Sequence, residues 1–375
     1  VAAYAAVVSR PARFLAASLV AALGVVACSD APTPSQRSAD GVFSGRVDTT
    51  DTGLRLDGTP WWPAGYNAYQ LGTDWSINVG CGAQVDLDDY FGSLPPRALT
   101  RFNLYSALAV DKTTGAVSFG PLDNVFAAAR RHDQMVLPVL AGSSGDCENE
   151  HFKERDWYVE GWRTDPAPGG FTYERWLTTA VERWRGEPTL AGWELVGEPE
   201  ASTCGPAGCQ WYQRACPAGG ADVLRAFFDE AGGLLHQLDG SRPIFSGFTG
   251  GDQCGLVGDD LERVAGSAHL DVLDFHDYPD NGMEHPAGSD LPSRIEQARN
   301  LRKPLVVNEI GLEAGSCRTS ERRAELLGQA YDEVRAAGVA GMLVWAFVPD
   351  PRTDACTYDV GYGDPVADVV AGNVR

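Results

Sequence analysis

Short, continuously apolar runs alternate with segments of helical period from about residue 60 to residue 347, and this alternation restricts the fold more than any other feature of the sequence. The apolar runs are Trp61–Gly65, Ala98–Tyr105, Met135–Leu140, Gly192–Val196, Pro243–Ser246, Val272–Phe275, Pro304–Val307 and Gly341–Ala346. They lack the in–out alternation of a strand wetted on one side, which is the pattern expected of parallel strands covered by helices. Between them lie Leu122–Asp133, Tyr173–Arg185, Asp222–Leu238, Leu291–Leu301 and Ser320–Ala337. The first of these, LDNVFAAARRHD, gathers its apolar residues on one helical face. Eight strands alternating with helices predict an α/β chain folded as a (β/α)8 TIM barrel. An open doubly wound sheet would suit a glycine-rich phosphate loop after the first strand, whereas the residues there are Tyr66-Asn67-Ala68-Tyr69.

The chain has 375 residues, and a hydrophobic content of 44% is enough to bury a sizeable core. Arg10 and Arg13 precede the apolar run Phe14–Ala27, which has the form of a secretory signal and is too short to span a bilayer comfortably. The run ends in Val25-Val26-Ala27-Cys28, similar to a bacterial lipobox in which Cys28 is lipidated and becomes the mature N-terminus. Ordinary cleavage after Ala27, giving a secreted protein, is the alternative. Residues 29–45 (SDAPTPSQRSADGVFSG) have the composition of a flexible tether. The expected organisation is therefore a signal over 1–28, a linker over 29–45 and one catalytic-sized domain over 46–375.

Nine cysteines support the lipidated reading, since removing Cys28 leaves eight, an even number that can form four disulfides in an oxidising compartment. The cluster Cys204-x4-Cys209-x6-Cys216 matches no zinc spacing and reads as a disulfide-tied loop. These features predict an exported monomer held at the outer face of a bacterial membrane, touching that membrane only through Cys28. A net charge of −21 repels phosphate backbones and anionic headgroups and so excludes nucleic acid as the main partner. A neutral polysaccharide meets no such barrier.

In a TIM barrel the chemistry sits at the C-terminal strand ends. Those ends carry Arg101 and Asn103 on the second strand, Glu198 after the fourth, His276 and Tyr278 after the sixth, Glu309 after the seventh and Trp345 on the eighth. Two carboxyls facing each other across one mouth suit glycosidic cleavage, in which one protonates the leaving oxygen while the other attacks the anomeric carbon. Glu194 has the parity of Glu198 but lies deeper in its strand, where a brace inside the barrel is the expected role. Between His276 and His285 lie Asp277, Asp280 and Glu284, but their spacing fits no zinc or calcium template. Trp75, Trp157, Trp162 and Trp211 either line sugar subsites or cover core beneath long loops.

Read in order, these segments resemble the retaining glycoside hydrolases of clan A, family 5 cellulases and mannanases. GWELVGEPE (192–200) is similar to the W-E-L-x-N-E-P segment that carries the acid/base glutamate, and VVNEIG (306–311) to the segment that carries the nucleophile. WWPAGYNAY at the first strand, Arg101, DFHDYP (274–279) and LVWAF (343–347) extend the resemblance from about Leu54 to Phe347. It implies Glu198 as acid/base and Glu309 as nucleophile, about 5–5.5 Å apart. It further implies Arg101 pairing with Glu309 to keep it ionised, Tyr278 donating to Glu309, His276 bonding the sugar or the carboxyls, and Trp345 stacking on the sugar.

The resemblance implies a retaining β-glycoside hydrolase needing no cofactor, an endo-β-mannanase or endo-β-glucanase. Where the family has asparagine before the acid/base, this chain has Gly197, and Asn103 is the expected substitute donor. The alternative function is a carbohydrate-binding surface lipoprotein on a degenerate barrel.

Overall fold

A computed structural model describes residues 44–375 except 79–80, 149–150, 207 and 282–284. The signal segment, Cys28 and almost all of the linker lie outside the described residues. At the start of the described residues, the Ser44 hydroxyl donates to Asp57, and the Gly45 carbonyl accepts from Arg242 Nη1 at 2.7 Å. No helix among the described residues is long and apolar enough to cross a membrane.

Eight parallel strands form the barrel wall: β1 (Ala64–Asn67), β2 (Leu99–Asn103), β3 (Met135–Val139), β4 (Trp193–Glu194), β5 (Ile244–Phe245), β6 (Leu273–Asp277), β7 (Leu305–Ile310) and β8 (Met342–Val344). Their hydrogen-bonded order is β5-β4-β3-β2-β1-β8-β7-β6. A parallel bridge between Phe245 and Val272, with Ser246 N donating to Val272 O at 3.0 Å, joins β5 to the start of β6 and closes the ring. Each strand is followed by a helix: α1 (Leu87–Gly92), α2 (Gly120–Arg131), α3 (Tyr173–Trp184), α4 (Gly220–Leu238), α5 (Asp260–Ala265), α6 (Leu291–Leu301), α7 (Ser320–Ala336) and α8 (Val366–Asn373). This is the expected (β/α)8 barrel.

Local chemistry sets the helix starts. Thr172, Asp290 and Thr319 accept backbone N–H bonds at the heads of α3, α6 and α7. Helix α2 begins two residues before the apolar pattern does, because Pro121 suits a first-turn position.

The sequence pattern runs the first strand from Trp61, but the structure divides that segment. Trp61 ends a three-stranded antiparallel floor (Val47–Thr49, Leu54–Leu56, Thr59–Trp61) beneath the barrel, and β1 starts at Ala64. Pro63, which has no N–H for a ladder, stands at the break. Asp57-Gly58, both at positive φ, form the two-residue turn between the last two floor strands. Val47, Leu54, Leu56 and Trp61 pack against Leu99, Leu137, Val306 and Leu343 from the lower barrel interior, so the bottom of the barrel is a dry apolar plug.

The upper half is reached through a break in regular pairing. On β7 the register shifts between Val307 and Glu309 against β6, and between Val307 and Ile310 against β8. This bulge lets Asn308 and Glu309, neighbours in sequence, both turn into the barrel, which strict alternation forbids.

Four disulfides, Cys81–Cys147, Cys204–Cys209, Cys216–Cys254 and Cys317–Cys356, use all eight cysteines of the domain. They fit an exported chain that folds in an oxidising compartment. Replacing Cys81 and Cys147 together with alanine opens a closure spanning 66 residues. The double variant is expected to lose roughly 2–4 kcal/mol of stability in urea titration. An unchanged midpoint and slope would show that this bridge does not restrain the unfolded chain.

Candidate active site

Arg101 projects from β2 into the barrel beside Asn67 of β1, Glu194 of β4 and Glu309 of β7. Its Nε and Nη2 donate to the two oxygens of Glu194 at 2.7 and 2.6 Å, a fork-on-carboxylate pair. Its Nη1 donates to Glu309 Oε1 at 2.5 Å and to Asn67 Oδ1 at 2.9 Å. Asn67 Nδ2 bonds the Asn308 carbonyl at 2.8 Å, and Asn308 Nδ2 reaches Glu194 Oε2 at 3.3 Å. Glu194 is fully buried at the centre of this network, in the bracing role expected of it.

Above the network lies a cleft of about 410 Å3, walled by Tyr69, Arg101, Asn103, Tyr105, Gly197, Glu198, Glu309 and Trp345 among others. Glu309 is buried, and its second oxygen accepts from the Tyr278 hydroxyl. Glu198 ends the β4 run at φ +56°, a left-handed backbone held by its N–H bond to Gly247 O at 2.8 Å. Its side chain is 47% exposed at the mouth. His276 Nδ1 lies 2.9 Å from Glu198 Oε1, within hydrogen-bond geometry, and 3.3 Å from Glu309 Oε2. Oxygens of Glu198 and Glu309 and a nitrogen of His276 all fall within 4.8 Å of one another. That proximity belongs to the short-separation class of paired carboxyls.

Although its outer edge meets solvent, desolvation by the cleft walls raises the pKa of Glu198 above the ordinary carboxyl range, Arg101 opposing the rise and Asp252 adding to it. Burial also raises Glu309, against the pull of His276 and Arg101. Sequence leads one to expect Arg101 to hold Glu309 low, but desolvation outweighs it, since Glu194 already takes two of the guanidinium's donors. Burial also drives His276 down to about 4, so its ring is neutral above that pH and can donate from Nδ1 to Glu198.

Every residue expected at the strand ends meets in this one mouth. Asn103 lines the cleft, and Trp345 lines it with its ring stacked on Tyr69 at 5.4 Å and 14°. Of the loop tryptophans, Trp157 and Trp162 are core, Trp75 is exposed, and the side chain of Trp211 lies outside the described residues. Asp280 is held by both Nη atoms of Arg318 at 2.6 and 2.9 Å.

Sequence reasoning missed Asn67, Tyr69, Tyr105 and Asn308 as parts of the site. Parity could have found three of them. Asn67 and Tyr69 continue the inward set of β1, and Tyr105 follows Arg101 and Asn103 two residues on. Asn308 has the parity of Val306 but not that of Glu309, so a reading anchored on Glu309 turns it out of the barrel.

No family model matches the chain. It is similar to the probable mannan endo-1,4-β-mannosidase C of Aspergillus terreus, 25% identical over 332 residues that span 79% of each protein. Its fold matches the endo-1,4-β-mannanase of Rhizomucor miehei with a TM-score of 0.66 at 17% identity, covering 88% of this chain and 98% of that one. A family 5 mannosidase of the same organism gives 0.60 at 15% identity, covering 89% and 97%.

Glu194→Gln keeps the shape of the brace but strips Arg101 of its forked anion. The expected cost is about 3–5 kcal/mol in urea unfolding. Glu325→Gln, which breaks an exposed pair with Arg322, should cost under about 1 kcal/mol. Equal stability of the two variants would remove the buried pair from the account of what organises the site.

Proposed function

We propose, from the premise that this chain is a family 5-like glycoside hydrolase of the retaining clan, that it cleaves internal β-1,4 bonds of mannan-type polysaccharides. The observation that carries the reading is the approach of Glu198 and Glu309 to within 4.8 Å across one cleft, each raised in pKa by burial. Similarity over most of both chains to proteins named as endo-1,4-β-mannosidases supports mannan as the substrate class.

In this mechanism Glu309 attacks the anomeric carbon while Glu198, whose pKa is raised by desolvation, gives its proton to the leaving oxygen. A glycosyl ester on Glu309 results. Glu198 then takes a proton from the incoming water, and the ester is released with net retention. Arg101 and Tyr278 hold Glu309 in line for attack. His276 donates to Glu198, and Trp345 forms the apolar floor for a sugar ring. The chemistry draws on carboxyls and water alone. A protein that only bound glycans would not need a proton donor opposed to a nucleophile. The enzyme acts as an exported monomer, tethered through residues 29–45 to a lipid on Cys28 at the bacterial surface.

Reducing-sugar release from mannan, glucomannan, cellulose, β-1,3-glucan and xylan tests the substrate class, with mannan and glucomannan expected to be cleaved. Glu309→Ala should abolish turnover, and azide should restore it as an α-glycosyl azide. Glu198→Ala should retain activity on substrates with very good leaving groups, and azide should there give a β-product. The same product from both variants would refute the division of roles.

The pH profile of kcat/KM should be bell-shaped. Protonating Glu309 removes the nucleophile on the acid side, and deprotonating Glu198 removes the acid on the alkaline side. Both limbs should lie above ordinary carboxyl values, and His276 should add no limb near pH 6.5. An alkaline limb that persists in Glu198→Ala would assign that limb to another group.

A further inference from the structure

We infer that the Tyr105 hydroxyl makes the hydrogen bond to the 2-hydroxyl of the sugar under attack that Gly197 is unable to make. The inference rests on the glycosidase reading above and adds a specificity residue to it.

A side chain at position 197 would start in occupied space. A Cβ there would lie 3.1 Å from Arg101 Nη2, 3.3 Å from Val139 Cγ1 and 3.5 Å from Glu194 Oε1. Arg101 cannot easily give way, because the same Nη2 is bonded to Glu194 at 2.6 Å. The locked guanidinium thus crowds out a side-chain amide directly before Glu198, and the donor must come from a neighbouring element.

Tyr105 is placed to supply it. Gly142 and Gly197 form a parallel bridge, with Gly197 N donating to Ala141 O at 2.8 Å and Ser143 N to Gly197 O at 3.0 Å. The Tyr105 hydroxyl lies against Gly142, so close that a Cβ there would sit 2.6 Å from it. Gly142 therefore makes the space in which this phenol stands, one bridge away from Gly197.

Tyr105 is only 6% exposed, lines the cleft with Glu198 and Glu309, and its hydroxyl bonds no other group among the described residues. Tyr90, Tyr173 and Tyr331, buried as deeply, each bond a protein oxygen. The ring is packed away while the hydroxyl opens to the cleft, where a sugar hydroxyl can pair with it. Burial raises its pKa well above the ordinary value, so it remains a donor. Bonds to the 2-hydroxyl strengthen as the oxocarbenium-like transition state develops, so the effect belongs mainly in kcat.

The test is a cycle between Tyr105→Phe, which keeps the ring's packing, and the substrate. The substrates are an aryl β-mannobioside and its analogue lacking the 2-hydroxyl on the aryl-bearing unit. The corresponding cellobioside pair replaces them if the glycan panel favours glucan. On the parent substrate Tyr105→Phe should lower kcat roughly 10- to 100-fold with little change in KM. On the deoxy substrate variant and wild type should agree within about twofold.

Equal losses on both substrates, or no loss on either, overturn the inference. So does a loss confined to the parent substrate in Asn103→Ala but not in Tyr105→Phe, which would make Asn103 the donor. These outcomes leave the glycosidase reading standing. A wild type inactive on every glycan and aryl glycoside removes both.

Discussion

The forked pair between Arg101 and Glu194 is the contact on which the rest of the mouth depends. A guanidinium buried with two carboxylates is expensive to desolvate, and such a cluster persists only when its donors are met in good geometry. Here Nε and Nη2 are taken by Glu194, leaving Nη1 for Glu309 and Asn67. Glu194 thereby fixes the direction of the guanidinium, and the guanidinium fixes Glu309. The division also limits how strongly Glu309 is stabilised. A carboxylate that received the whole fork would be well placed but a poor nucleophile. With one donor from Arg101 and one from Tyr278, Glu309 is oriented while burial still lifts its pKa.

Much of this was legible in the sequence. Eight apolar runs indicated the barrel because fully covered parallel strands are written as continuous apolar stretches, and the strand ends carried residues whose types fit one reaction. What parity does not describe stayed hidden. Glu309 should face outward if Val306 faces inward, and only the bulge at Asn308 brings it round. The floor hairpin was hidden for a different reason: its strands are three residues each, too short for a period to register. Tyr105 was written as the end of an apolar run. Its functional meaning depends on Gly142 and Gly197 meeting, which is a fact of sheet register and not of local composition.

The disulfides show a related division between scaffold and site. Cys81–Cys147 joins the loops after β1 and β3, Cys216–Cys254 those after β4 and β5, and Cys317–Cys356 those after β7 and β8. Cys204–Cys209 closes a turn within the loop after β4. All four therefore lie on the face where the strands end and the cleft opens. Long loops with little secondary structure lose much entropy on ordering, and cross-links reduce that loss by restricting the unfolded chain. Cys81 and Cys147 themselves line the cleft. A rim already ordered before substrate arrives spends less binding energy on its own immobilisation, leaving more for the transition state.

Strand β2 shows how one chain segment serves both halves of the barrel. Leu99 belongs to the apolar plug that the floor hairpin seals, Arg101 to the charged network, and Asn103 and then Tyr105 to the cleft. Every second residue moves one layer upward, from groups that gain by leaving water to groups that lose by it. The order cannot be reversed. A charged layer at the bottom would face the dry hairpin with nothing to satisfy it, and an apolar layer at the top would remove the donors that hold Glu309. The lower layers must therefore supply the stability that the upper ones forgo. Gly197 belongs to the same economy of space: the guanidinium that organises the mouth fills the volume beside it. The polar contact displaced from that position can then come only from a neighbouring strand whose inward parity reaches the same height, and β2 delivers Tyr105 there.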